Sequence, residues 1–179
     1  MGSDKAFLDF KGKTLLQRAL DTLRDLTPEV MIVGERTKYS AVAPVVEDVF
    51  RARGPLGGIH AALAASATDL NLLLAVDLPF VQQSFLSFLV KKAAQTDALV
   101  VVPRVHGFFH PLCAIYRKDF GHAAEQSLQR GDNKIDHLFD QVKTVIVEED
   151  EIARRGFSTR MFSNLNTPQE FQQAKRRRF

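Results

Sequence analysis

Two aspartates stand just behind apolar runs. Asp77 follows Leu72-Leu73-Leu74-Ala75-Val76, the most apolar run of the chain, and Asp48 follows Val45-Val46-Glu47. In open parallel sheets, ligands collect outside the carboxyl ends of the strands, so parallel pairing would put both carboxylates on one rim. A carboxylate there suits Mg²⁺, a hard cation that takes one or two protein oxygens and leaves its other positions to water and phosphate. That is the arrangement of a nucleoside triphosphate site. The competing role for each aspartate is a helix cap, Asp77 for the helix after Pro79, because Asp is a favoured N-cap.

Gly54-Pro55-Leu56-Gly57-Gly58 reads as a loop ahead of an alanine-rich helix. Such a backbone can turn tightly and approach a ligand, with helix-terminal amides nearby. It is not a phosphate-binding P-loop, because no Lys-Ser or Lys-Thr follows the glycines. Lys5, read alone, is a solvated lysine. His110-Pro111 precedes another apolar run, where a neutral imidazole could exchange a proton with a ligand; packing beside the strand is the competing role. His60, His106, His122 and His137 lack metal-ligand spacing, so no zinc or iron site is expected.

The elements that must position these residues alternate. Helical spacing of Leu15, Leu16, Ala19, Leu20 and Leu23 predicts a helix over 13–26. A short strand over 29–33 and another over 45–48 follow, then a helix over 59–66, and 72–76 reads as a strand covered on both faces. Helices are predicted over 82–95, 119–129 and 134–139, strands over 98–102, 112–116 and 143–147, and a last helix after Asn166-Thr167-Pro168. The alternation predicts an α/β fold of three layers, one domain over residues 1–179, with a mostly parallel sheet.

Composition narrows the class. The chain has 179 residues, 45% of them hydrophobic, enough for a core. No apolar stretch reaches the ~18–20 residues of a membrane span, and Met1-Gly2-Ser3-Asp4-Lys5 carries no signal-peptide pattern; a cytoplasmic protein is expected. The lone Cys113 cannot form an internal disulfide or a thiolate metal centre and reads as a buried small hydrophobe. The net charge is +3, and the closing run Lys175-Arg176-Arg177-Arg178 reads as a solvated tail, without the interleaved aromatics of a nucleic-acid binder.

Taken in order, several segments together resemble the nucleotidyltransferases of molybdenum cofactor maturation, the molybdenum cofactor guanylyltransferase family. They are Met1-Gly2-Ser3-Asp4-Lys5-Ala6 with Gly12-Lys13-Thr14-Leu15-Leu16, Val46-Glu47-Asp48, Gly54-Pro55-Leu56-Gly57-Gly58-Ile59-His60, Ala75-Val76-Asp77-Leu78-Pro79-Phe80, His110-Pro111-Leu112-Cys113-Ala114-Ile115-Tyr116 and Phe162-Ser163-Asn164-Leu165-Asn166-Thr167-Pro168. The resemblance implies a Rossmann-like sheet and transfer of GMP from GTP, with Mg²⁺, to molybdopterin carrying molybdenum. Lys5 would meet the triphosphate, Asp48 and the segment Gly54, Pro55, Leu56 and Gly57 the nucleotide, and Asp77 both nucleotide and Mg²⁺, making Lys5 and Asp77 the catalytic pair. His110, Asn164 and Asn166 would lie on the pterin side. Molybdoenzymes or their chaperones are implied as recipients of the product.

The related cytidylyl enzymes usually carry acids where this chain has Asn164 and Asn166, which points to guanine. A cytidylyltransferase acting on molybdopterin or another small phosphate is the alternative. The family opens with an apolar strand and a Leu-Ala-Gly-Gly-x-Ser-x-Arg loop ahead of the Met-Gly-x-Asp-Lys motif, and here the motif is Met1 to Lys5. We expect Met1 to be the internal methionine of that motif, with the first strand and phosphate loop upstream. A chain without them would leave strands unpaired, at ~1–3 kcal/mol for each buried orphan group, and would be inactive or a non-catalytic scaffold.

Overall fold

The computed structural model describes residues 4–50 and 52–164. A 3-10 turn, Lys5–Phe7, leads into the hairpin β1 (Asp9–Phe10) and β2 (Lys13–Thr14), then α1 (Leu15–Arg24), β3 (Ile32–Val33), α2 (Arg36–Tyr39) and β4 (Val45–Val46). The middle of the chain forms α3 (Gly54–Ala65), β5 (Leu70–Leu74), α4 (Gln83–Ala94), β6 (Val100–Val105), β7 (Phe108–Phe109) and β8 (Cys113–Arg117). It continues with α5 (Phe120–Gln129), α6 (Ile135–Phe139), β9 (Thr144–Glu148), α7 (Glu149–Arg154) and a second 3-10 turn, Thr159–Phe162. The predicted helix after Asn166-Thr167-Pro168 lies outside the described residues.

Local chemistry explains the boundaries. α1 begins one residue after Thr14 because Thr14 and Gln17 form a reciprocal capping box, the threonine hydroxyl accepting from the Gln17 amide at 3.1 Å and Gln17 Oε1 from the Thr14 amide at 2.9 Å. The glycine-proline segment is not a loop. Pro55 suits the first turn of a helix, so α3 begins at Gly54, and all five residues of Gly54-Pro55-Leu56-Gly57-Gly58 are helical.

β6 separates the layers. Val100 and Val102 face the cluster formed by α3, α5 and α6, with Leu56, Ile59, Leu63, Phe120 and Leu138, while Val101 and Val105 face α4 and α7, with Phe85, Leu86, Leu89 and Ile152. This is the period-two alternation of a strand covered by helices on both faces. β5, β8, β6 and β7 lie in that order, with β9 added on β6.

The expected mostly parallel sheet is only partly realised. β3 pairs with β4 and β6 with β9 in parallel, whereas β5–β8, β6–β8 and β6–β7 are antiparallel. Because β8 runs opposite to both β5 and β6, the C-terminal ends of β5, β6 and β9 still share one edge with the start of β8. Among the described residues β3 and β4 form a separate pair, and β5 has a ladder partner only in β8. Its residues are therefore half-buried, against the expectation of full burial for an all-apolar run: helices cover faces, but a strand also needs neighbours on both edges.

Candidate functional site

The first candidate, Lys5, opens the 3-10 turn, whose next residue, Ala6, is anchored in a small core with Leu16, Leu20, Ile32 and Val45. Val76, the neighbour of Asp77, packs on the same core. Asp48 lies three residues past Val45 of that core. One hydrophobic cluster thus draws the backbone at Lys5, Asp48 and Asp77 together. A second contact fixes the same region: Phe10 of β1 meets Phe80 edge-on, with ring centroids 5.7 Å apart, tying the hairpin after Lys5 to the segment after Asp77.

Neither aspartate caps a helix. α4 takes Gln82 as its N-cap, and α3 takes Arg53, both without a side-chain cap bond. Among the described residues the Asp77 carboxylate has no hydrogen-bond or ion-pair partner, and it is half-buried at the C-terminal end of β5. Asp48 instead serves its own turn, Oδ1 accepting from the Phe50 amide at 2.8 Å. Its carboxylate lies against Gly57 in the first turns of α3: a Cβ there would stand 2.7 Å from Asp48 Oδ2 and 2.8 Å from the Phe50 carbonyl oxygen. The sequence places Gly57 in a loop, so this contact inside a helix was not legible in it.

The rest of the glycine-proline segment divides. Gly54 and Pro55 are exposed at the helix start, while the Leu56 side chain is fully buried among Ile59, Leu63 and the strands. Leu56 as a whole is 0% exposed, so it supports the segment from beneath. His110, directly after β7 and three residues before β8, is half-buried and stacks on Phe162, with centroids 4.2 Å apart and planes 30° apart. Asn164 is exposed two residues beyond Phe162, the ring on which His110 stacks; Asn166 lies outside the described residues.

Loss of solvent, with a smaller repulsion from His106, lowers the proton affinity of His110 below the ordinary 6.5. Below pH 6.5 the unfolded chain takes up a proton that the native histidine resists. The stability that His110 contributes as a neutral ring is complete above 6.5 and is lost as pH falls toward the lowered native value. His110→Gln should flatten the pH dependence of the urea midpoint below 6.5, leaving it unchanged above. Cys113 is buried as expected, its thiol pushed up to about 12 by desolvation.

An open depression of about 640 Å³ lies at the other end of β5, lined by Asp69, Thr96, Asp97 and Arg117 among others. Arg117 is committed there to Asp69 and to the Thr96 carbonyl oxygen, the latter at 2.7 Å, fastening the end of α4. We assign that depression no part in the chemistry. Among the described residues no three metal-ligating side chains converge, and no helix is long and apolar enough to cross a membrane.

Comparison with known proteins identifies the family and the fold. A molybdenum cofactor guanylyltransferase of Aliivibrio salmonicida is 32% identical over 175 residues, covering 96% of this chain and 87% of the relative. One of Syntrophotalea carbinolica is 29% identical over 178 residues, covering 98% and 85%. Among solved structures, the molybdopterin-guanine dinucleotide biosynthesis protein A of Archaeoglobus fulgidus superposes with a TM-score of 0.82 at 23% identity, covering 97% of this chain and 90% of that one. The 2-C-methyl-D-erythritol 4-phosphate cytidylyltransferase of Thermus thermophilus shares the fold, with a TM-score of 0.69 at 18% identity over 96% and 92% of the two chains. Residues 1–145 match the MobA-like NTP transferase domain, and this chain belongs to that family of Rossmann-like nucleotidyltransferases.

Proposed function

We propose that this protein, in which residues 1–179 belong to one nucleotidyltransferase domain, transfers GMP from GTP to molybdenum-bearing molybdopterin. The observation that carries this reading is the match, over 96% and 98% of the chain, to relatives named as molybdenum cofactor guanylyltransferases. In the reaction an oxygen of the acceptor's terminal phosphate attacks the α-phosphorus of GTP. The bond from that phosphorus to the β-bridging oxygen breaks, and pyrophosphate leaves with the electron pair. The acceptor phosphate is itself the nucleophile, so no covalent enzyme intermediate is needed.

The side chains divide this work. Lys5 meets the triphosphate and balances charge that builds on the departing pyrophosphate, where a fixed cation is worth most in the transition state. Asp77 fits a Mg²⁺ ligand: its carboxylate is a hard donor without a partner among the described residues at a strand end, and Mg²⁺ commonly takes a single carboxylate plus water and phosphate. Bound there, the metal supplies charge neutralisation on the phosphates. Asp48 and main-chain groups at the start of α3 receive the nucleotide, the exposed helix end at Gly54 favouring anionic groups. His110 and Asn164 contact the pterin side. The product passes to molybdoenzymes or their chaperones in the cytoplasm.

Thermal midpoints with GTP and with CTP in Mg²⁺ test the nucleotide assignment, since a ligand that binds only the native state raises the midpoint. GTP should raise it and CTP should raise it far less. A larger shift with CTP would favour a cytidylyltransferase, and no shift with either, both in this chain and in one extended upstream of Met1, would remove nucleotide transfer.

A further inference from the structure

The Lys5 turn is held from a distant part of the chain. Asp4 uses one carboxylate oxygen to cap it, Oδ1 accepting from the Ala6 amide at 3.1 Å. The other oxygen, Oδ2, accepts from the hydroxyl of Tyr39, which is 35 residues away at the end of α2. The Tyr39 ring is fixed on two sides. It stacks on Phe7, the last residue of the turn, with centroids 5.7 Å apart and planes 21° apart, and it lies so close to Gly34 that a Cβ there would be 2.8 Å from the ring.

We infer that Tyr39 is a positioning residue for the transfer reaction: its hydroxyl, through Asp4, locks the 3-10 turn that carries Lys5 against the triphosphate. The inference rests on the reading of Lys5 given above. Burial, and then the bond to Asp4, raise the affinity of the Tyr39 hydroxyl for its proton, so it remains a donor across the physiological range. Gly34 belongs to the same device, because a larger residue would push the ring off the turn. The second face of Asp4 is thus occupied from α2, which also sits beside the Asp48 strand through the bond from the Arg36 amide to Glu47 Oε1 at 3.3 Å.

The test is a double-mutant cycle on Tyr39→Phe and Lys5→Ala, read as kcat for GMP transfer alongside the thermal midpoint. Tyr39→Phe keeps the ring stack and removes only the hydroxyl. It should lower kcat by about 3- to 10-fold, the equivalent of one net hydrogen bond, with KM for GTP changed less. In a Lys5→Ala background, Tyr39→Phe should have no further effect on kcat. Equal losses in both backgrounds, or an unchanged kcat for Tyr39→Phe alone, would overturn the positioning role while leaving the assignment of Lys5 intact. A fully active Lys5→Ala protein would overturn that assignment and the inference with it.

Discussion

Replacing Asp77 by asparagine is expected to slow GMP transfer by about 10²- to 10³-fold, the usual loss when one preorganised electrostatic partner of a transition state is removed. The folded state should scarcely register the change. Among the described residues the carboxylate bonds to nothing in the protein, and its neighbours Val76 and Leu78, which hold the backbone in place, are untouched. Asparagine keeps the shape and one oxygen but loses the charge that a divalent cation requires. The residual reaction should therefore need more Mg²⁺ for half-saturation. Initial rates measured across a Mg²⁺ series, with a urea melt of the same variant, separate the outcomes. A loss of activity matched by a loss of stability would make Asp77 a structural residue instead.

Gly57→Ala should carry the second large effect, and its sign is informative. Alanine is the better helix former by ~1 kcal/mol, so propensity alone predicts a more stable protein. Space predicts the reverse. The new methyl would stand 2.7 and 3.0 Å from the Asp48 carboxylate oxygens and 2.8 Å from the Phe50 carbonyl oxygen, distances at which something must shift. The carboxylate can swing aside, but the Phe50 carbonyl belongs to the backbone. We expect the Asp48 turn to be displaced at about 1–3 kcal/mol, the range for overpacking, and GTP affinity to fall about tenfold or more as Asp48 moves. Gly58→Ala is the internal control, because among the described residues its methyl would meet only the Val33 side chain, at 3.7 Å. Calorimetric titration with GTP on both variants checks the contrast; equal affinities would show that the Asp48 turn does not serve the nucleotide.

The sequence carried some of this and concealed the rest, for identifiable reasons. The helices at 15–24, 83–94 and 120–129 were legible because an amphipathic helix must repeat its apolar residues near every third or fourth position. Asp77 could be singled out because a carboxylate directly after five apolar residues has to sit at a strand end. Strand direction left no such trace: Cys113-Ala114-Ile115-Tyr116 reads the same whether β8 runs with β5 or against it. The β6–β7 hairpin was missed because its two-residue turn uses His106 and Gly107 at φ 52° and 79°, and a His-Gly pair is a weaker turn signal than Asn-Gly. α7 follows β9 with no intervening turn residues, so its acidic first turn gave no boundary. The stack of His110 on Phe162 and the bond from Tyr39 to Asp4 are tertiary pairings between distant residues, which no local periodicity announces.

Product analysis separates guanylyl transfer from cytidylyl transfer and from simple hydrolysis of the nucleotide. The purified protein is incubated with Mg²⁺, an equimolar mixture of GTP and CTP, and molybdenum-bearing molybdopterin, and the pterin products are identified by mass. GMP transfer should yield the guanine dinucleotide, formed together with one pyrophosphate for each molecule and absent when the acceptor is omitted. A cytosine dinucleotide, or pyrophosphate released at the same rate without acceptor, would contradict it.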